Sequence, residues 1–219
     1  MHVTTSDTAQ KRLGTLDDAI TAIRSSILEG EFAPHQRLVE VDLCEQFGVS
    51  RAVVRNALLK LTSEGLVEHL PNRGARVRAI SLDEAIEIVE ARAALEALCA
   101  RKAAERMTPE AREYLTELRA AIVDALESGD LAEYSMLHQR LDHYIRDLSA
   151  HHTSTQILER LQAQGARHQF RLSFRPGRAA RSGPEHLEII DALLAEDADA
   201  VEEATISHLK GVITAMRES

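Results

Sequence analysis

The sequence predicts a mainly α fold in two parts: an N-terminal winged helix-turn-helix with a small β-wing, and a C-terminal all-α six-helix bundle. Three observations predict it. Apolar residues recur at helical spacing along most of the 219-residue chain. β-prone pieces are confined to one place, Leu66–His69 and Ala75–Arg78 around a Pro71–Gly74 turn. Directly before that hairpin stand a short helix, a tight turn and a second helix bearing Arg51 and Arg55.

The elements follow in order. Helix 1 is the stretch Thr15–Glu29, where Thr15 can cap, Asp17 and Asp18 suit the positive end, and Gly30 stops the turn. Leu16, Ile20, Ile23 and Ile27 form its buried stripe. Helix 2 runs over Glu40–Phe47 and can end at Gly48. Ser50 caps helix 3, Arg51–Glu64, whose Arg51 and Arg55 share one face while Val54, Ala57, Leu58 and Leu61 share the opposite one. Gly65 closes that helix ahead of the hairpin. The chain breaks at Ala79–Ile80, and Ser81 with Glu84 forms a capping box that starts the bundle. Helices over 83–106, 109–128, 131–150 and 154–174 are separated by Thr108–Pro109, Gly129–Asp130 and His151–Thr153. Arg175–Pro184 reads as a loop, before helices over 185–196 and 199–217. The domains are therefore a tail over 1–14, a winged helix-turn-helix over 15–80, and a helical domain over 81–219.

Composition excludes several function classes. Aromatic residues are only 3% and tryptophan is absent, which argues against the stacking platforms used for single strands and RNA. Cys44 and Cys99 lie in apolar helical patterns without metal-ligand spacing, as reduced thiols in a cytoplasmic protein would. Residues 1–14 hold no apolar run that could serve as a signal peptide or membrane anchor. The net charge of −9 is unequally divided. Residues 1–80 carry ten basic against ten acidic side chains, so the whole deficit lies in 81–219. Within Ser50–Arg78 six basic residues (Arg51, Arg55, Lys60, Arg73, Arg76, Arg78) face only Glu64 and Glu68, a local footprint for a polyanion.

The run GEFAPHQRLVEVDLCEQFGVSRAVVRNALLKLTSEGLV, with the step to RGARV, resembles the DNA-binding head of GntR-family bacterial transcription regulators. The resemblance covers about Leu16 to Ile80. It departs from the family at His35, where glycine is usual, and at Val53–Asn56, where the family has Pro-Val-Arg-Glu. Losing that glutamate at Asn56 removes a negative charge from the DNA side, so no operator sequence carries over. The second half resembles the FCD-type effector-binding domain of the FadR-like branch, through EARAALEALCARKAA, LDHYIRDLSAH, EHLEIIDALLAEDADA and the terminal SHL. Six helices place it with the shorter, VanR-like type.

Seven of the ten histidines fall in the acidic half. His186 and His208 are equidistant from Asp197, the expected turn between the last two helices, about 16 Å along each helix. In an antiparallel hairpin their imidazoles come level. His138 and Asp142 share one face of an earlier helix at i and i+4. Three imidazoles and a carboxylate suit zinc, with nickel or another divalent ion as alternatives. The family resemblance implies the same four positions, with His138 where an aspartate is usual and Asp142 where a histidine is usual. A register one residue different nominates His143 instead of Asp142. His151, His152 and His168 read as surface residues at helix ends.

Arg92 lies four residues before Glu96, the spacing of a helical salt bridge or of a cation directed into the pocket to hold a carboxylate effector. Arg171 and Arg175 are lesser candidates for that role. The expected function is a DNA-binding transcription regulator, a repressor released by a small organic acid bound at a metal-containing pocket. It would act as a homodimer on a palindromic duplex operator, since one recognition helix contacts too few bases. Ser50, Arg51, Arg55 and Arg73 are the expected DNA contacts. Two alternatives share these residues: a regulator for which the ion is itself the signal, and a metal-dependent hydrolase. No nucleophile motif or glycine-rich phosphate loop supports an enzyme.

Overall fold

The computed structural model describes residues 15–70, 74–173 and 177–218. The chain divides into two compact units, Met1–Ala79 and Ile80–Ser219.

In the first unit, α1 (Leu16–Glu29), α2 (Glu40–Phe47) and α3 (Arg51–Ser63) pack on a sheet of β1 (Arg37–Leu38), β2 (Val67–Leu70) and β3 (Gly74–Val77). The strand order is β1-β3-β2, antiparallel throughout. Thr15 and Asp18 form a capping box on α1, and Gly30 ends it in the left-handed region. Ile20, Ile23 and Ile27 of the expected α1 stripe and Val54, Ala57, Leu58 and Leu61 of α3 are buried with Leu38, Ala75 and Val77 of the sheet. Leu16, expected in the α1 stripe, is a correction: as the first residue of the helix it is 37% exposed. A two-pronged ion pair from Arg24 to Glu64, with both Nη2 contacts at 2.9 Å, ties α1 to the end of α3. Two details were not read from the sequence. β1 is two residues long, too short for alternation to register. His35 sits at φ 65, the left-handed conformation in which a glycine would be unstrained.

The second unit consists, among the described residues, of six helices: α4 (Leu82–Ala104), α5 (Pro109–Ser128), α6 (Leu131–Ser149), α7 (His152–Ser173), α8 (Arg178–Leu194) and α9 (Ala198–Arg217). Side chains of Ser81, Thr108, Asp130 and Asp197 cap α4, α5, α6 and α9. α4 packs against α6, α7 and α9, and α8 and α9 form an antiparallel hairpin turning at Ala195–Asp197. Leu115, Ile122, Leu137, Leu141, Leu158, Ile190 and Leu193 fill the centre.

The expected loop at Arg175–Pro184 is a correction. α8 begins at Arg178 and carries Pro184 inside it. A helical proline removes the bond to the carbonyl four residues back, here Ala180, which is exposed and can be solvated instead. Gly183 beside it lets α8 approach α5: a Cβ there would lie 2.6 Å from Leu126 Cδ1. Among the described residues no helix is long and apolar enough to cross a membrane.

Candidate functional site

Each unit holds one candidate site. In the first, Gly48 at φ 64 makes the turn between α2 and α3, and the Ser50 hydroxyl accepts the Val53 N–H at 3.4 Å. Ser50 thus caps the helix that carries the arginines. Arg51 and Arg55 project from α3 with side chains 67% and 60% exposed, on the face opposite the core. Asn56 and Leu59 are exposed alongside. Arg37, Glu40 and His69 border the same groove. Glu40, at the start of α2, had no functional reading in the sequence. It accepts hydrogen bonds from both arginines, and those bonds hold its carboxyl well below the usual range, at about 2. Arg73 and Arg175 lie outside the described residues, as does the side chain of Arg171.

In the second unit, His138, Asp142, His186 and His208 line one cavity of about 60 Å³ with Arg92 and Arg178. The hairpin of α8 and α9 brings His186 and His208 level, ring centroids 4.5 Å apart, and α6 stacks His138 at 5.2 Å from His186. His143 is 68% exposed and pairs with Asp147, so Asp142 is the member of that pair at the pocket. Arg92 is 4% exposed, borders the cavity, and bonds Glu96 at 2.8 Å, the helical salt bridge that its spacing offered.

Hydrogen-bond partners set the protons on two of the rings. Ser182 Oγ donates to the Arg178 carbonyl, so the Tyr134 hydroxyl, 2.8 Å away, must donate to Ser182. Tyr134 oxygen is then left to accept from His186 Nδ1–H at 2.9 Å. His208 Nδ1 faces a carboxylate oxygen of Glu185 at 2.8 Å and donates likewise. In the neutral imidazole either bond leaves Nε2 as a lone-pair acceptor, the form that ligates metals. Burial holds Tyr134 protonated, pushing it up to about 12. Burial pushes His186 well below the ordinary histidine range, helped by His208 and His138 nearby. Burial lowers His138 too, against the pull of Asp142. Its Nδ1 is buried without a hydrogen-bond partner among the described residues. In kind, this donor set fits a divalent transition ion. As the side chains stand, no three His, Cys, Asp or Glu among the described residues close around one point as a metal site would.

Tyr134, Arg178, Ser182 and Glu185 were missed by sequence reasoning. Two signals were available: Tyr134 precedes His138 by one helical turn, and Glu185 adjoins His186. Glu185 also depends on Gly211, where a Cβ would lie 2.7 Å from its Oε1. Of the three other histidines, His151 caps α7 by accepting the Ser154 N–H. His168 is a correction, lying within α7 with its Nε2 against the Ile80 carbonyl rather than at a helix end.

Comparison with known proteins agrees with both halves. Residues 15–77 match the family described as bacterial regulatory proteins, gntR family, and residues 87–211 match the FCD domain. The HTH-type transcriptional repressor RspR of Escherichia coli K12 is 29% identical over 201 residues, spanning 90% of this chain and 86% of that protein. An HTH-type transcriptional regulator of Agrobacterium vitis is 34% identical over 130 residues, 58% of this chain and 76% of that protein. The solved structure of E. coli McbR/YncC superposes with a TM-score of 0.76 at 22% identity, covering 94% of this chain and 99% of that one, a likeness of fold.

Proposed function

This chain belongs to the GntR family and carries an FCD domain; it is a DNA-binding transcription regulator, not an enzyme, and from that premise we propose that it is a repressor whose operator binding is controlled by a small organic acid held beside a divalent metal ion. The observation that carries this reading is the gathering of three imidazoles, Asp142, Arg92 and Arg178 around one cavity. The relative from E. coli bears the name of a repressor, which supports the sign of regulation. Arg51 and Arg55, set by the Ser50 cap, read base edges and phosphates, and Arg73, outside the described residues, is assigned a contact to the backbone or the minor groove.

Charge links metal to effector. Arg92 and Arg178 are each paired with a glutamate, Glu96 and Glu185, and Asp142 adds a third carboxylate. Without an ion the pocket repels an acid. A bound zinc or nickel ion, held by His138, Asp142, His186 and His208, would reverse that balance and give a carboxylate an electrophilic anchor. Arg92 is then the cation that fixes the acid's second oxygen. A cavity of about 60 Å³ holds only a few water-sized groups, which favours a short-chain acid.

The protein is proposed to act as a cytoplasmic homodimer on a palindromic site, joined through the helical unit, where Leu131 and Met136 of α6 are 55% and 56% exposed. A thermal-shift screen of short organic acids, each with and without zinc, tests the pocket, because a ligand of the native state raises its melting temperature. Acid stabilisation only in the presence of metal is the expected result. Equal stabilisation after chelation would remove the metal from the reading. A change in DNA affinity on adding zinc alone would make the ion the signal.

A further inference from the structure

Glu40 opens α2 and faces the exposed side of α3 across the turn. Arg51 gives its Nε–H to Glu40 Oε2 at 2.8 Å. Arg55 gives Nε–H to Oε1 at 3.2 Å and an Nη2 hydrogen to Oε2 at 3.1 Å. One carboxylate thus docks two guanidinium groups, each by its Nε edge. A guanidinium has five N–H groups in a fixed plane. Docked on that edge, each arginine leaves its terminal edge, one N–H from each Nη, uncommitted to Glu40. Two parallel donors are what the O6 and N7 acceptors of guanine accept.

A carboxylate on a surface meant for DNA repels phosphate, so its presence there requires a return. An arginine swinging on its flexible stem takes phosphate oxygens in any sequence. One braced in place meets two acceptors only where a guanine presents them. We propose that Glu40 is a positioning residue that braces Arg51 and Arg55 as a pair of guanine-reading forks, giving up general phosphate affinity for sequence discrimination. The inference rests on the reading of α3 as the recognition helix.

Specific duplexes recovered by selection from a randomised pool, and alternating poly(dA-dT), which lacks the O6/N7 acceptor pair, as the non-specific competitor, provide the probes, with the full chain titrated by fluorescence anisotropy at several salt concentrations. Glu40→Gln, which keeps the shape and removes the charge, should bind poly(dA-dT) more tightly, with a salt slope steeper by about one. Its ratio of specific to non-specific affinity should fall about tenfold, within the range of one lost bidentate contact. Glu40→Asp keeps the charge but is too short to span both arginines; it should lose the same discrimination without the steeper slope. Circular dichroism establishes that both variants fold. Unchanged discrimination in either folded variant overturns the inference, as does an equal rise in both affinities, which would make Glu40 a simple repellent. Arg51→Ala and Arg55→Ala separate the two layers: if neither weakens the selected duplex, the recognition-helix reading itself fails.

Discussion

His35 holds the left-handed conformation with an exposed side chain that contributes little packing, while its N–H donates to the Val77 carbonyl at 3.0 Å. Such a conformation costs an ordinary residue about 1–2 kcal/mol, part of which a glycine loses again in chain entropy. His35→Gly should therefore stabilise the first unit by up to about 1 kcal/mol, read as a rise of a few degrees in melting temperature. The buried imidazoles make the opposite kind of statement. His186 and His138 are both held below the ordinary histidine pKa, so the unfolded chain binds their protons more readily than the folded one. Stability from this source is complete above about pH 6.5 and is lost as pH falls below it. Chelator-treated protein should accordingly melt earlier at pH 5.5 than at pH 7.5 (both roughly one unit from the histidine value), and His186→Ala should flatten that dependence.

The last two helices show how an element assembles a site from residues far apart in the chain. Gly211 lies three residues beyond His208 on α9, and its missing side chain leaves room for the Glu185 carboxylate that bonds His208. Gly211→Ala should displace Glu185 and release the His208 ring while leaving every ligand in place. Zinc affinity, followed by competition with a chelating dye, should fall about 10–100-fold, the usual effect of losing an outer partner, with little change in helix content. The pairing of His186 with His208 could be read beforehand because helix rise is constant and the turn at Asp197 was marked by its own capping residue. The same holds for Ser50 with Arg51 and Arg55. Glu185, Glu40 and Arg178 could not be read this way, since their roles depend on which side chains oppose them across a packed interface. Pro184 misled for a related reason: a proline is a poor helix residue in general, and here the carbonyl that it leaves without its helical partner belongs to the exposed Ala180.

At the scale of the whole molecule, each unit has its own buried core, and the helical unit is proposed to hold two copies together. Residues 80–219 alone should sediment as a dimer at micromolar concentration, and residues 1–79 as a monomer; a monomeric bundle would count against the arrangement. The charge division has a further consequence. The acidic side chains in excess all belong to the helical unit, while the basic and acidic groups of the DNA-facing unit balance to zero. Salt screens attraction and repulsion alike, and near 0.01 M the screening length reaches about 30 Å. Diluting the buffer should strengthen the grip of the isolated DNA-facing unit more than that of the intact protein, whose acidic helices then sense the duplex as well. Phosphate contacts counted from the salt dependence of the full chain should therefore come out fewer than the recognition surface makes.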